Sequence, residues 1–255
     1  MNTKKNIISV IIPYFRKKIF FKETIKSIIN QSYKNFEIIL IYDDTNQNEL
    51  KFVKDVLKKF RKKKIIINKY NLGPGNSRNR GILKAKGDYI AFCDADDVWK
   101  KNKLSSQFNF MKKNKINFSH TGYSIINKYS KNIGEFKIKK ELNYQNLLQS
   151  CDIGLSTVIA SKKILLKNKF CSLKTKEDYE LWLKLSKKNS LLLGLNKNLS
   201  SWRITENSLS SSIVQKLLDS FRLYYYYEKY NILISLFYVV RLTSFALLKK
   251  IKIYL

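Results

Sequence analysis

The chain is poor in residues that interrupt or cross-link a fold: two prolines, eight glycines and three cysteines in 255 residues. So little proline and glycine excludes a collagen-like or low-complexity chain, and a hydrophobic content of 44% excludes disorder. Cys93, Cys151 and Cys171 have neither metal-ligand nor redox spacing, which predicts reduced thiols in a cytosolic setting. His120 is the only histidine. A Ser-His-Asp triad and a histidine-rich metal site are thereby set aside, and His120 is expected to be structural. Acids are scarce too: 19 against 50 lysines and arginines, a formal net charge of +31. Nucleic acid, an anionic membrane face or an acidic substrate would each suit that charge, and so would a coding bias toward Lys, Asn and Ile. The lysines are spread along the whole chain rather than gathered with aromatics in one motif, which argues against a nucleic-acid partner. The N-terminal apolar run, ended by Pro13, is too short for a signal-peptide core and reads as a strand.

Against that scarcity, Asp94, Asp96 and Asp97 crowd into four positions directly after the apolar run 89–93. Three carboxylates at the end of a buried strand repel each other and call for a cation. All-oxygen ligands of this kind suit Mg²⁺ or Mn²⁺, shared with substrate phosphates. A merely acidic loop or helix cap is the alternative.

Strand and helix patterns alternate through the first half. Residues 7–12, Phe36–Tyr42, 65–67 and 89–93 read as buried strands. Between them lie Ile25, Ile28 and Ile29, then Leu50 through Phe60, at helical spacing, and a helix beginning near Ser77. This predicts an α/β fold, a mainly parallel sheet flanked by helices, with ligands bound beyond the carboxyl ends of its strands. Pro13-Tyr14, Asp43-Asp44 and the acidic cluster all fall at such ends. Further on, 104–111 and 177–185 read as helices, and Phe118–Ile126 and 156–160 as strands, with 191–195 and 200–204 as a final strand pair. Beyond about residue 212 the character changes. The apolar stretch 232–248 contains Arg241 and is followed by Lys249, Lys250 and Lys252. It falls short of the ~20 residues that span a bilayer. The expectation is an in-plane amphipathic helix or pair on an anionic membrane surface, with docking on the protein's own surface as the alternative.

Several segments carry a family resemblance by their order and spacing. They are Ser9 through Tyr14; Glu23, Ser27, Gln31-Ser32-Tyr33 and Asn35-Phe36-Glu37; Asp43-Asp44; Asn71 through Gly75; Arg78-Asn79-Arg80-Gly81; and Gly87-Asp88-Tyr89. The acidic cluster follows, then Glu177-Asp178 and Trp182. From about residue 7 to 210 the chain resembles the glycosyltransferase family 2 enzymes of the GT-A fold. The resemblance implies inverting transfer from a nucleotide-diphosphate sugar, a UDP-sugar foremost, to a lipid-linked or surface-glycan acceptor. It implies Mn²⁺ or Mg²⁺ as cofactor and a peripheral place on the inner face of a bacterial plasma membrane. By the same resemblance, Pro13, Tyr14, Asp44 and Arg78 contact the donor, and Arg203 the diphosphate. Asp96 holds the metal, with Asp94 as ribose or second metal contact and Asp97 in support, while Asp178 is the general base beside Glu177. Residues 1–211 would form the catalytic domain, a donor half of about 1–100 and an acceptor half of about 101–211, with 212–255 as C-terminal helices. Trp202, Ser208 and Ser210 resemble a late family element. The chain departs from the pattern at Phe15 and at Thr45-Asn46-Gln47-Asn48, where the family has a Gly-Ser-Thr-Asp-like turn. The competing classes are a basic nucleic-acid-binding protein, a receiver-like phosphoacceptor domain and an inactive glycosyltransferase-like scaffold.

Overall fold

A computed structural model of the chain describes residues 6–187, 191–205 and 212–254, with side chains described through residue 248. Ser208, Ser210 and the side chains of Lys249, Lys250 and Lys252 lie outside the described set. The first half alternates as its periodicity predicts: β1 (Ile8–Tyr14), α1 (Lys18–Ile29), β2 (Phe36–Tyr42), α2 (Gln47–Leu57), β3 (Lys63–Ile67), α3 (Gly73–Lys84) and β4 (Tyr89–Phe92). The second half holds β5 (Val98–Trp99), α4 (Lys103–Lys113), β6 (Phe118–Ile126), β7 (Asn132–Phe136), β8 (Glu141–Leu142) and α5 (Tyr144–Gln149). After a 3₁₀ turn (Leu155–Thr157) come β9 (Ile159–Ser161), α6 (Lys162–Lys167), α7 (Glu177–Ser186) and β10 (Leu192–Arg203). The chain then runs through α8 (Ile213–Arg222), a π turn (Leu223–Tyr227) and α9 (Ile232–Tyr254).

The strands among the described residues join one sheet in the order β3-β2-β1-β4-β9-β6-β10-β5, with β7 on β6 and β8 on β10. The block β3-β2-β1-β4 is parallel, and β9 joins it antiparallel to both β4 and β6. Alternation along β1 shows why the strand is apolar throughout. Ile8, Val10 and Ile12 pack with Phe21 of α1 and Leu104 of α4 on one face, while Ile11 packs with Ile82 of α3 on the other. Pro13 lies past the last β1–β4 pair, Ile11 with Phe92, where a missing N–H costs that ladder nothing.

Three expectations shift. Helix α3 starts at Gly73 rather than near Ser77, because Pro74 presets the first helical turn and Gly73, at φ +78°, takes the bend before it. The expected strand pair 191–195 and 200–204 is a single strand. Register irregularities around Asn198 absorb the polar Asn196 and Lys197 that read as a turn. The segment 156–160 is split between the 3₁₀ turn and β9.

The tail docks by one face and exposes the other. Leu223, Tyr224 and Leu242 belong to the core cluster under α5 and α7. Tyr144 of α5 donates a hydrogen bond to Glu228, and the Tyr179 and Tyr224 hydroxyls meet at 3.2 Å. Helix α8 turns Asp219 and Ser220 inward and leaves Ile213, Val214, Leu217 and Leu218 exposed, the reverse of an ordinary surface helix. Along α9, Leu233, Phe237 and Val240 are exposed as well. Among the described residues no helix is long and apolar enough to cross a membrane.

Candidate active site

The carboxyl ends of β1, β2 and β4, with the N-termini of α3 and α7, bring the sequence-predicted acids and Arg78 to one side of the sheet. At the end of β2, Asp43 is buried and accepts from Asn68 Nδ2 at 2.6 Å and from Leu72 N at 2.8 Å, which holds the approach to α3. Its neighbour Asp44 accepts from Thr45 N at 2.7 Å and pairs with Arg16 Nε at 3.2 Å. The turn that departs from the family pattern is put to another use: Asn46 caps α2 by accepting from Asn48 N and Glu49 N. Tyr14 is buried, stacked on Tyr42 and edge-on to Phe21, and its hydroxyl donates to Glu49 at 2.7 Å. Burial, reinforced by Glu49, raises its pKa, so it stays a neutral donor.

After β4 the acidic turn splits its side chains among different partners. Asp94 accepts from Arg78 Nη2 at 2.8 Å. Asp96 Oδ2 pairs with Lys17 Nζ at 2.6 Å. Asp97 accepts from Arg203 N at 2.9 Å, which ties the turn to the end of β10. Burial raises the pKa of both Asp96 and Asp97. Nearby Asp94 adds to each, while Lys17 pulls Asp96 back. Sequence reasoning missed Arg16 and Lys17. Their signal is a basic dipeptide at the carboxyl end of β1, facing strand ends rich in acid.

Arg78 joins the two halves of the site. Its Nη1 donates to Glu177 Oε1 at 2.5 Å and its Nη2 to Asp94, while its buried Nε has no hydrogen-bond partner among the described residues. Burial works against the guanidinium charge, and Asp94 and Glu177 outweigh it, raising the pKa. Gly75 permits this approach of α3 to α7, for a Cβ there would stand 2.5 Å from the Cys171 carbonyl and 3.2 Å from Glu177 Cγ. At the start of α7, Lys176 takes the left-handed conformation (φ +75°), and Asp178 accepts from Tyr179 N at 2.7 Å. Burial pushes the Asp178 carboxyl upward against the pull of Arg78, and Glu177 is pushed up to about 7 by burial.

Arg203 sits with its side chain at 0% exposure. Nε donates to the Asp96 carbonyl at 2.8 Å, Nη1 to Asn127 O and Ser130 Oγ, and Nη2 to Glu23 at 2.6 Å. The structure thus places this arginine as a strut under the acidic turn. Trp182 is wholly buried, against Phe118 and Phe170.

The donor set suits a hard divalent cation. The groups it offers are carboxylate oxygens, and the Lys17 ammonium already stands on Asp96. Among the described residues no three His, Cys, Asp or Glu side chains converge as a ready metal cage. A cation held by one or two carboxylates and completed by substrate phosphates is the arrangement Mg²⁺ prefers.

Residues 9–170 match the model of glycosyl transferase family 2. The chain is 32% identical over 216 residues to the Escherichia coli UDP-Glc:alpha-D-GlcNAc-diphosphoundecaprenol beta-1,3-glucosyltransferase WfgD, covering 83% of this chain and 82% of that protein. Among solved structures it superposes on Staphylococcus aureus TarS 1–349 in complex with UDP-GlcNAc with a TM-score of 0.67 at 20% identity, over 84% of this chain and 65% of that one. The mannosyltransferase PcManGT of Pyrobaculum calidifontis, in complex with GDP-Man and Mn²⁺, superposes at 0.68 and 10% identity, over 91% and 69%. An acidic turn after the fourth strand of a GT-A sheet, an arginine linking it to a paired acid on α7, and these matches lead to one conclusion: the chain belongs to glycosyltransferase family 2 and is a glycosyltransferase.

Proposed function

We propose that the enzyme transfers a sugar with inversion from a nucleotide-diphosphate sugar, foremost a UDP-sugar, to a hydroxyl of a lipid-linked or cell-surface glycan. The observation that carries this reading is the Asp94–Arg78–Glu177 chain of ion pairs, which ties the acidic turn to the Asp178 helix. UDP-GlcNAc in TarS and the undecaprenyl diphosphate acceptor named for WfgD support the donor and acceptor classes. Pro13, Tyr14 and Asp44 line the base side, with Asp44 accepting from the base imide once Arg16 yields. Arg78 and the α3 N-terminus face the diphosphate. Asp96, with Asp94 and support from Asp97, would hold Mn²⁺ or Mg²⁺, which when bound offsets the charge of the departing diphosphate.

Asp178, ionised, takes the proton of the acceptor hydroxyl. The freed oxygen forms a bond to the anomeric carbon as the sugar–diphosphate bond breaks, and that bond's electron pair leaves with the diphosphate. Glu177 neutralises Arg78 and keeps it aimed along the site. Residues 1–211 form the catalytic unit in this reading, donor-binding to about 100 and acceptor-binding beyond it. Residues 212–255 rest on an anionic membrane surface at the cytoplasmic face. Melting curves with UDP, GDP, dTDP and CMP, each with and without Mn²⁺, test the reading. A ligand at 100 times its Kd adds about 2.7 kcal/mol. The expected result is a Mn²⁺-dependent shift with UDP that Asp96→Asn abolishes. No shift with any nucleotide overturns the reading and turns attention to salt-dependent DNA binding.

A further inference from the structure

Beside the active site, two cavities share Ser172, Leu173 and Lys174 as a common wall. One, ≈ 170 Å³, opens on the start of α3; the other, ≈ 250 Å³, opens toward Arg222, Tyr226 and Tyr227. The second cavity presents two cations. Among the described residues the one acid in its lining is Asp219, which is fully buried. It is engaged by Thr175 N at 2.8 Å, Thr175 Oγ1 at 3.0 Å and Arg222 Nη1 at 3.3 Å. Asp219 therefore anchors the segment before α7 and sets Arg222 at the rim, with half of that side chain still exposed. Lys174 is exposed, only four residues before Asp178, and an extended chain bounds their Cα separation at about 14 Å. On the far side, Arg222 ends α8, whose outward face is Ile213, Val214, Leu217 and Leu218.

Base, cations and apolar face thus follow one another. We infer that the cavity at Lys174 and Arg222 binds the diphosphate of an isoprenoid-diphosphate-linked acceptor. The acceptor sugar then reaches toward Asp178 and the polyprenyl chain lies along the exposed face of α8. The inference rests on the glycosyltransferase reading and extends it to the acceptor. Charge complementarity selects this occupant. Two adjacent cations match a diphosphate, and the apolar face that continues from them matches a hydrocarbon chain.

Binding of farnesyl diphosphate, inorganic pyrophosphate and phosphatidylglycerol vesicles to the full chain tests the inference, with UDP plus Mn²⁺ as the donor-site control. In the Lys174→Ala/Arg222→Ala variant, farnesyl diphosphate affinity should fall at least tenfold, with the UDP shift and vesicle binding kept. Lys174→Glu, which leaves the Arg222–Asp219 pair intact, should lose farnesyl diphosphate and pyrophosphate with the UDP shift and vesicle binding kept, guarding against misfolding of the double variant. Pyrophosphate should bind the parent more weakly than farnesyl diphosphate. Unchanged farnesyl diphosphate affinity in both variants overturns the site. So does an equal loss of vesicle binding, which marks mere basic charge. A parent protein with no UDP shift fails the donor reading instead, a result separate from either.

Discussion

At the scale of residues, the site is a set of acids that have found cations within the protein itself. Lys17 on Asp96 and Arg16 on Asp44 place two consecutive basic residues on the proposed metal and base contacts. Arg16 adopts φ +49° to do so, a conformation that side chains other than glycine take at a cost. A metal arriving at Asp96 must displace the Lys17 ammonium. Mn²⁺ binding to nucleotide-free protein, followed by calorimetry, is therefore expected to tighten roughly fivefold in Lys17→Ala, the scale of one partly exposed ion pair. It should stay near the parent value in Lys17→Arg; an unchanged Lys17→Ala removes the competition. For the base, Asp178→Asn is expected to lower kcat by about 10²–10⁴-fold with donor binding retained, a split visible in kcat against the UDP dissociation constant. A comparable loss of UDP affinity would instead give Asp178 a donor-binding role. The acids were readable in the sequence as residue types at strand ends. Their partners were not, because Lys17 and Arg78 and the Arg203 backbone reach the acids of the turn from segments up to 106 residues away.

At the scale of elements, close approaches decide whether those partners meet. Gly75→Ala places a methyl against the Cys171 carbonyl, so α3 must shift from α7. A destabilisation of roughly 1–3 kcal/mol in urea unfolding, with weaker UDP binding, is expected. Retention of both would mean the segment at Cys171 moves freely. On β6, in register with Gly194 of β10, His120 is fully buried, and burial lowers its pKa to about 4. The unfolded chain binds its proton below about 6.5, whereas the folded protein refuses it until near 4. Stability from the neutral ring is thus complete above pH 6.5 and lost as pH falls. The parent should lose roughly 2 kcal/mol more than His120→Asn between pH 7 and pH 5. The raised-pKa carboxylates act oppositely but equally in both proteins, so the difference isolates the histidine; no difference refutes its buried neutral state. The strands of the first half were legible because continuous apolar runs bounded by polar turns have few other uses. The single strand β10 was not, because a bulge around Asn198 disguises it as a turn.

At the scale of the whole molecule, +31 charges and an outward apolar face on α8 and α9 coincide. Binding to phosphatidylglycerol vesicles is expected, weakened by salt and by replacing anionic with neutral lipid. Leu217→Glu with Phe237→Glu should reduce it at least tenfold, while stability in water changes by no more than about 0.5 kcal/mol because both residues are exposed. Co-sedimentation that ignores both charge and these substitutions would leave the face for a protein partner.

By itself the sequence determined the alternating α/β order, the strand ends that carry acid, and the kinship that their spacing reveals. These are local patterns, each contained within a strand, a helix or a short motif. Only the tertiary structure decided that Arg78 bridges Asp94 to Glu177, that Arg203 supports the acidic turn from below, and that α8 turns its polar face inward. Ion pairing and burial depend on which distant surfaces meet, and no periodicity along the chain encodes that meeting.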